Sequence, residues 1–247
     1  MDVHSHATTA RKKWTHYFWE FLMLFLAVFC GFLAENQREH IVEHRREKDF
    51  MRSMVADLKK DTAAIIAGIT RLERQQKNSD SAILLYILQN NPTPLQVAEI
   101  GRISDRGLTS TIVLFTDRTS SQLKNSGGMR LIRNKSVSDS ITEYWNRIEQ
   151  LKEIIDRTES YRLDTRKLGT RIFGGLPGAY AYRFLDSTLL IDRDRLLDNS
   201  PLLLGEYMNN MVFISILYRL EYIPRLKNQL KVSERLMGKI WEDYNLK

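Results

Sequence analysis

Between Phe18 and Glu39 the chain reads FWEFLMLFLAVFCGFLAENQRE, an apolar run with one carboxylate, Glu20, just inside its leading end. Phe21 to Ala34 is free of charge, and extending back to Tyr17 gives a stretch that spans roughly 27 Å as a helix, close to the ~30 Å of a bilayer core. Basic residues Arg11, Lys12 and Lys13 precede it, and Trp14, Tyr17 and Trp19 cluster where a membrane interface belongs. The pattern predicts a transmembrane helix over 17–34. A cleaved signal peptide fits less well, because a cut after Ala34 would set Phe32 where a small residue is needed. Cationic residues beside the leading end favour a short cytoplasmic N-terminus, 1–16, with the main domain on the far side. At about 5 Å inside the apolar layer, Glu20 can reach the headgroups or serve assembly with another helix.

After the anchor the pattern changes twice. Residues 35–49 are mostly charged, with Glu35–Arg38 and Glu43–Arg46 spaced to pair along a helix, so this segment reads as a charged stalk. From Phe50 onward Met54, Leu58, Ile65, Ile69 and Leu72 recur at three-, four- and seven-residue intervals, the stripe of an amphipathic helix. A second helix is expected from about Asp80 to Gln89 with Ser79 as its cap, ending at Asn90-Asn91-Pro92-Thr93-Pro94. The TSTIVLF stretch, Thr109 to Phe115, suits a short strand or a helix start equally. Gly127 and Gly128 mark a helix C-cap. Ser136 then opens a long helix facing inward through Ile141, Trp145, Ile148, Leu151 and Ile155. GGLPG, Gly174 to Gly178, is a further break. A last helix after Pro201 carries Leu204, Met208, Met211, Ile214, Leu217 and Leu220, then Leu230, Leu236 and Ile240, with Pro224 kinking or dividing it. The expected fold is mainly α: the anchor and stalk, then an all-α, bundle-like extramembrane domain over 50–247.

Composition narrows the function. A net charge of +7 arises from 37 Lys and Arg interleaved with 30 Asp and Glu, which describes solvated helix faces rather than a nucleic-acid footprint. Cys30, the only cysteine, lies within the apolar run, so the body holds no disulfide and no cysteine-only metal site.

Candidate chemistry is sparse. His40-Ile-Val-Glu43-His44 matches the H-x-x-E-H pattern of one class of zinc peptidases, and His40 and His44 share a helix face, but charged stalk surrounds them; solvated histidines are the better reading, with no cofactor expected. KNSGGMRLIRNK gathers Lys124, Arg130, Arg133 and Lys135 around a glycine turn, a possible contact for an anion or lipid headgroup or simply an exposed helix corner. Tyr180 and Tyr182 beside Arg183 suggest a packed corner. Phosphate-loop and nucleophile-elbow motifs are missing.

The stretch from Trp19 to Thr62, the internal QLKNSGGMRLIRNKSVSDSITEYW and the ending RLMGKIWEDYNLK resemble a family of small, uncharacterised single-pass bacterial inner-membrane proteins with an N-terminal anchor and a helical body. In that family an acidic residue recurs where Glu20 stands. The resemblance implies an anchored helical protein and brings no activity. The sequence therefore favours a membrane-bound interaction or scaffold protein, a homo-oligomer or accessory subunit of an envelope complex, over a small-ligand sensor or an enzyme; its expected contacts are lipid and membrane proteins.

Overall fold

A computed structural model describes residues 14–89, 91–173 and 200–246. Among these residues the chain is helical and forms no strand, so the mainly α class is the observed one. Helix α1 runs unbroken from Trp14 to Ile87. Backbone contacts divide the chain into two compact units, residues 1–49 and 50–247.

In the first unit, Arg38 Nε donates to Glu35 at 2.8 Å. This exposed pair holds the Glu35 carboxyl below its ordinary range, chiefly through that hydrogen bond.

The second unit is a helical bundle. The separate helix expected from Asp80 does not form, because α1 continues through it. Ser79 is fully buried rather than a cap, and the Asp80 carboxylate accepts from Ser215 Oγ at 2.5 Å and Arg219 at 2.7 Å. Polar residues tolerate a helix interior when tertiary partners engage them. Helix α2, Pro94–Gly107, starts with a reciprocal cap between Thr93 and Gln96. An irregular stretch leads to α3, Arg118–Asn125. Gly127 follows at φ +63°, the left-handed conformation that glycine adopts without Cβ strain, and a 3₁₀ turn spans Gly128–Leu131.

Helix α4 is Lys135–Phe173. Its cap is Asn134, not Ser136: Asn134 Oδ1 accepts from the backbone N–H of Ser136 at 3.0 Å and of Val137 at 3.3 Å. Its expected inward positions Ile141, Trp145, Ile148, Leu151 and Ile155 are all buried. Helix α5 is Pro201–Leu217, capped by Ser200, and α6 is Ile223–Tyr244. Between them Tyr218–Tyr222 form a π turn in which the Ile223 N–H reaches back to the Tyr218 carbonyl. Pro224 explains it. The ring has no N–H to give and crowds the carbonyl four residues back, and the wider turn absorbs both defects without breaking the helix. Leu220 consequently faces out, against its expected inward position.

Two buried apolar clusters give the topology. In one, Met51, Met54 and Leu58 of α1 meet Ile141 of early α4 and Leu236 and Ile240 of late α6. In the other, Ile65 and Leu72 of α1 meet Leu151 and Ile155 of α4 and Met211 and Ile214 of α5. Helices α1 and α4 therefore run parallel, and α5–α6 run antiparallel to both. Helix α2, the irregular stretch and α3 carry the chain back between the two parallel helices.

Candidate functional site

Three groups of residues bear on function. The first is the anchor. By length and composition α1 is long and apolar enough to cross a membrane, and none of its most apolar window is buried inside the protein. Trp14, Phe21, Leu24 and Val28 are among its exposed side chains. The rings of Trp14, Phe18, Phe21, Phe25 and Phe29 fall along one side of the helix, with Tyr17 and Trp19 off that stripe. Trp14 stacks on Phe18 at 6.4 Å, Phe21 on Phe25 at 6.3 Å, and Phe25 on Phe29 at 5.8 Å. Three- and four-residue spacing sets His16, Glu20, Ala27, Gly31 and Ala34 on the opposite side. Glu20 Oε1 lies 3.1 Å from His16 Nε2, one turn earlier, with both side chains about half exposed. The sequence reading missed His16 as the neighbour of Glu20, although a four-residue spacing was the available signal. Tyr17 and Trp19 are exposed, as is Cys30. Arg11, Lys12 and Lys13 lie outside the described residues, as do the GGLPG break and the Tyr180, Tyr182 and Arg183 corner.

The second group is made of the motif candidates. His40 and His44 are exposed on α1, and His44 Nδ1 sits 3.4 Å from Glu47 Oε2. Among the described residues no set of three His, Cys, Asp or Glu side chains is arranged to hold a metal ion. Of the four cations near the glycine turn, all exposed, Lys124 lies in the last turn of α3 with its ammonium over the Trp145 ring at 4.8 Å. Arg130 sits in the 3₁₀ turn, Arg133 precedes the cap of α4 and Lys135 is its first residue.

The third group was not legible in the sequence. Asp57 and Asp61, one turn apart on α1, are buried, at 3% and 1% exposure. Asp61 accepts from Tyr144 Oη at 2.5 Å and from the Thr116 backbone N–H at 2.7 Å. Asp57 accepts from the Thr119 N–H at 3.1 Å, the Thr119 hydroxyl at 2.5 Å and the Arg118 guanidinium at 3.0 Å. Burial raises the Asp61 carboxyl above its ordinary value, opposed by the bonds from Tyr144 and Thr116 and reinforced by the Asp57 charge. Burial also raises the Tyr144 phenol, and the neighbouring Asp61 charge adds to it.

The same polar logic fixes the irregular stretch from Thr109 to Thr116. Gln75 Nε2 donates to the Thr109 carbonyl at 2.6 Å and to Thr111 Oγ1 at 2.9 Å. Tyr222 Oη donates to the Thr111 carbonyl at 3.0 Å, Arg162 to the Leu108 carbonyl at 3.2 Å, and Ser110 Oγ to Glu159 at 3.0 Å. Val113 seats on the backbone of α1 at Gly68, where an added Cβ would lie 2.4 Å from Val113 Cγ2. Side chains of three helices thus replace the ladder a strand would normally supply.

Compared with known proteins, the chain matches no family, no curated protein and no solved structure. Chemically, the buried carboxylates are engaged with hydroxyl, amide and guanidinium donors, an arrangement that pins backbone within the core.

Proposed function

We propose that this protein is a membrane-anchored helical interaction protein, a homo-oligomer or an accessory subunit of a larger envelope membrane complex. It crosses the bacterial inner membrane once over residues 17–34, with 1–16 cytoplasmic and the helical body periplasmic. One observation carries the reading: the most apolar window of α1 has none of its surface buried within the protein, while the body closes two apolar clusters of its own. An exposed window of that size needs lipid or another protein to cover it. The sidedness of the anchor supports a divided role. Aromatic rings meet lipid, and the face holding Glu20 and His16 meets a neighbouring transmembrane helix, where a polar pair is better placed than in hydrocarbon.

The test is purification of the tagged full-length protein in mild detergent, with native mass and subunit content measured on the eluted material. A fixed stoichiometry, with itself or with a second membrane protein, is the expected result. A monodisperse monomer that recovers no partner refutes the reading. Glu20→Gln is expected to loosen the assembly while leaving membrane insertion intact.

A further inference from the structure

Along the sequence the charges of α1 are interleaved; in the fold they separate. Between Phe50 and Ile87 the helix carries four acids, Asp57, Asp61, Glu73 and Asp80, and each is engaged by another element. Asp57 and Asp61 are buried and accept from Thr119 of α3 and Tyr144 of α4. Glu73 meets Lys227 of α6 at 2.7 Å, and Asp80 meets Arg219 at 2.7 Å. Cations remain outside. Lys59, Lys60, Arg71, Arg74 and Lys77 are exposed. Lys59 lies over the Trp241 ring at 5.4 Å, and among the described residues the other four make no ion pair.

Their placement has a shape. Lys59 and Lys77 are about five turns apart and share one edge of the exposed face, while Lys60 and Arg71, about three turns apart, share the other. Between the edges the side chains are short: Ala56, Ala63, Ala67 and Thr70, all exposed, with Arg74 at the far end. From Lys59 to Lys77 this face extends roughly 27 Å. Cationic edges on either side of a low midline fit a rod with acidic flanks, as edge charges select a partner helix. A flat layer of lipid headgroups would meet the midline rather than the two edges. The borders keep the sign: Lys231 and Arg235 accompany Glu234 on α6, and Arg118 accompanies Asp117 at the start of α3, all exposed.

A second copy does not supply the match. Two copies meeting through this face would set cations against cations. The outward acids of α4 are interleaved with cations: Glu143, Glu149 and Asp164 pair with its own Arg147, Lys152 and Lys167. We infer that the outward face of α1 from Lys59 to Lys77 docks an acidic-flanked helix of a second protein, with Lys60, Arg71, Arg74 and Lys77 pairing to its carboxylates. This rests on the accessory-subunit form of the reading above and gives it a surface on the body.

The test uses the full-length protein and its partner purified together in mild detergent. A carbodiimide couples a lysine ammonium directly to a carboxylate, and mass spectrometry locates the joint. Lys60 and Lys77 are expected to link to Asp or Glu side chains along one helix of the partner. Arg71→Glu with Arg74→Glu and Lys77→Glu should lower the yield of partner about tenfold at an unchanged melting temperature. The charge-keeping set Arg71→Lys, Arg74→Lys and Lys77→Arg should retain it. The inference is overturned if the partner co-purifies with both lysines unlinked, or if charge reversal leaves its yield unchanged. Links to Asp139, Glu153 or Asp156 of another copy also overturn it, assigning the face to self-association. An assembly of this chain alone removes the inference and leaves the anchored oligomer standing; a native monomer removes both.

Discussion

Tyr144→Phe isolates one hydrogen bond in the centre of the body. The ring keeps its place among Ile141, Trp145 and Ile148, so no large cavity opens. What disappears is the hydroxyl that donates to Asp61 Oδ2 at 2.5 Å, leaving a carboxylate at 1% exposure that depends on Thr116, whose N–H donates to it at 2.7 Å. A hydrogen bond to a charged, buried acceptor is worth about 1.5–3 kcal/mol, so a loss of about 2 kcal/mol is expected at neutral pH. For a body of this size that lowers the melting temperature by about 4–8 °C.

The pH dependence follows from the raised carboxyl of Asp61. A group that protonates more readily in the folded chain than in the unfolded one adds stability as pH falls through its folded pKa, and that gain is lost as pH rises again. Removing the Tyr144 bond, which lowers this pKa, raises it further. The cost of Tyr144→Phe is therefore full at neutral pH and shrinks as the pH falls and Asp61 takes up its proton. Denaturant titrations of wild type and variant in mild detergent, at both pH values, measure it through tryptophan fluorescence. A cost that is absent at neutral pH, or equal at both, refutes the reasoning.

Three further outcomes are expected. Asp61→Asn removes the titrating group, so the stability that Asp61 adds to wild type as pH falls should be missing from the variant's pH series of melting temperatures. Gly68→Ala brings a helix-propensity gain of up to about 1 kcal/mol, but its Cβ strikes Val113 Cγ2; overpacking of about 1–3 kcal/mol should win, with a net loss in denaturant midpoint and faster amide exchange across 109–116. Gly127→Ala forces a Cβ into φ +63° and should cost about 1 kcal/mol, seen as a lower melting temperature with unchanged native mass.

Periodicity was legible where a helix buries one face for many turns: Met54, Leu58, Ile65 and Leu72 in α1, and Ile141 to Ile155 in α4, all lie inside. Punctuation was less legible. Asn78, Ser79 and Asp80 look like a break, yet α1 runs through them because burial and the Ser215 and Arg219 contacts decide the matter. The TSTIVLF stretch stayed ambiguous because its partners are single side chains far away in sequence, Gln75 and Tyr222. Asp57 and Asp61 were passed over for the same reason: on a helix, two acids one turn apart resemble a solvated face. Only the approach of Tyr144 and Thr116 makes them interior.

The π turn at Tyr218–Tyr222 has a consequence for the rest of the chain. A turn that takes an extra residue rotates everything after it by about 100° relative to a plain α-helix. Leu226, Val232, Leu236 and Ile240 are buried in the phase that the turn sets. Straightening it would offer the interior the residue before each of them instead: Arg225, Lys231, Arg235 and Lys239. Pro224 thus serves as an index mark: by forbidding the regular turn before it, the ring tells twenty later residues which way to face.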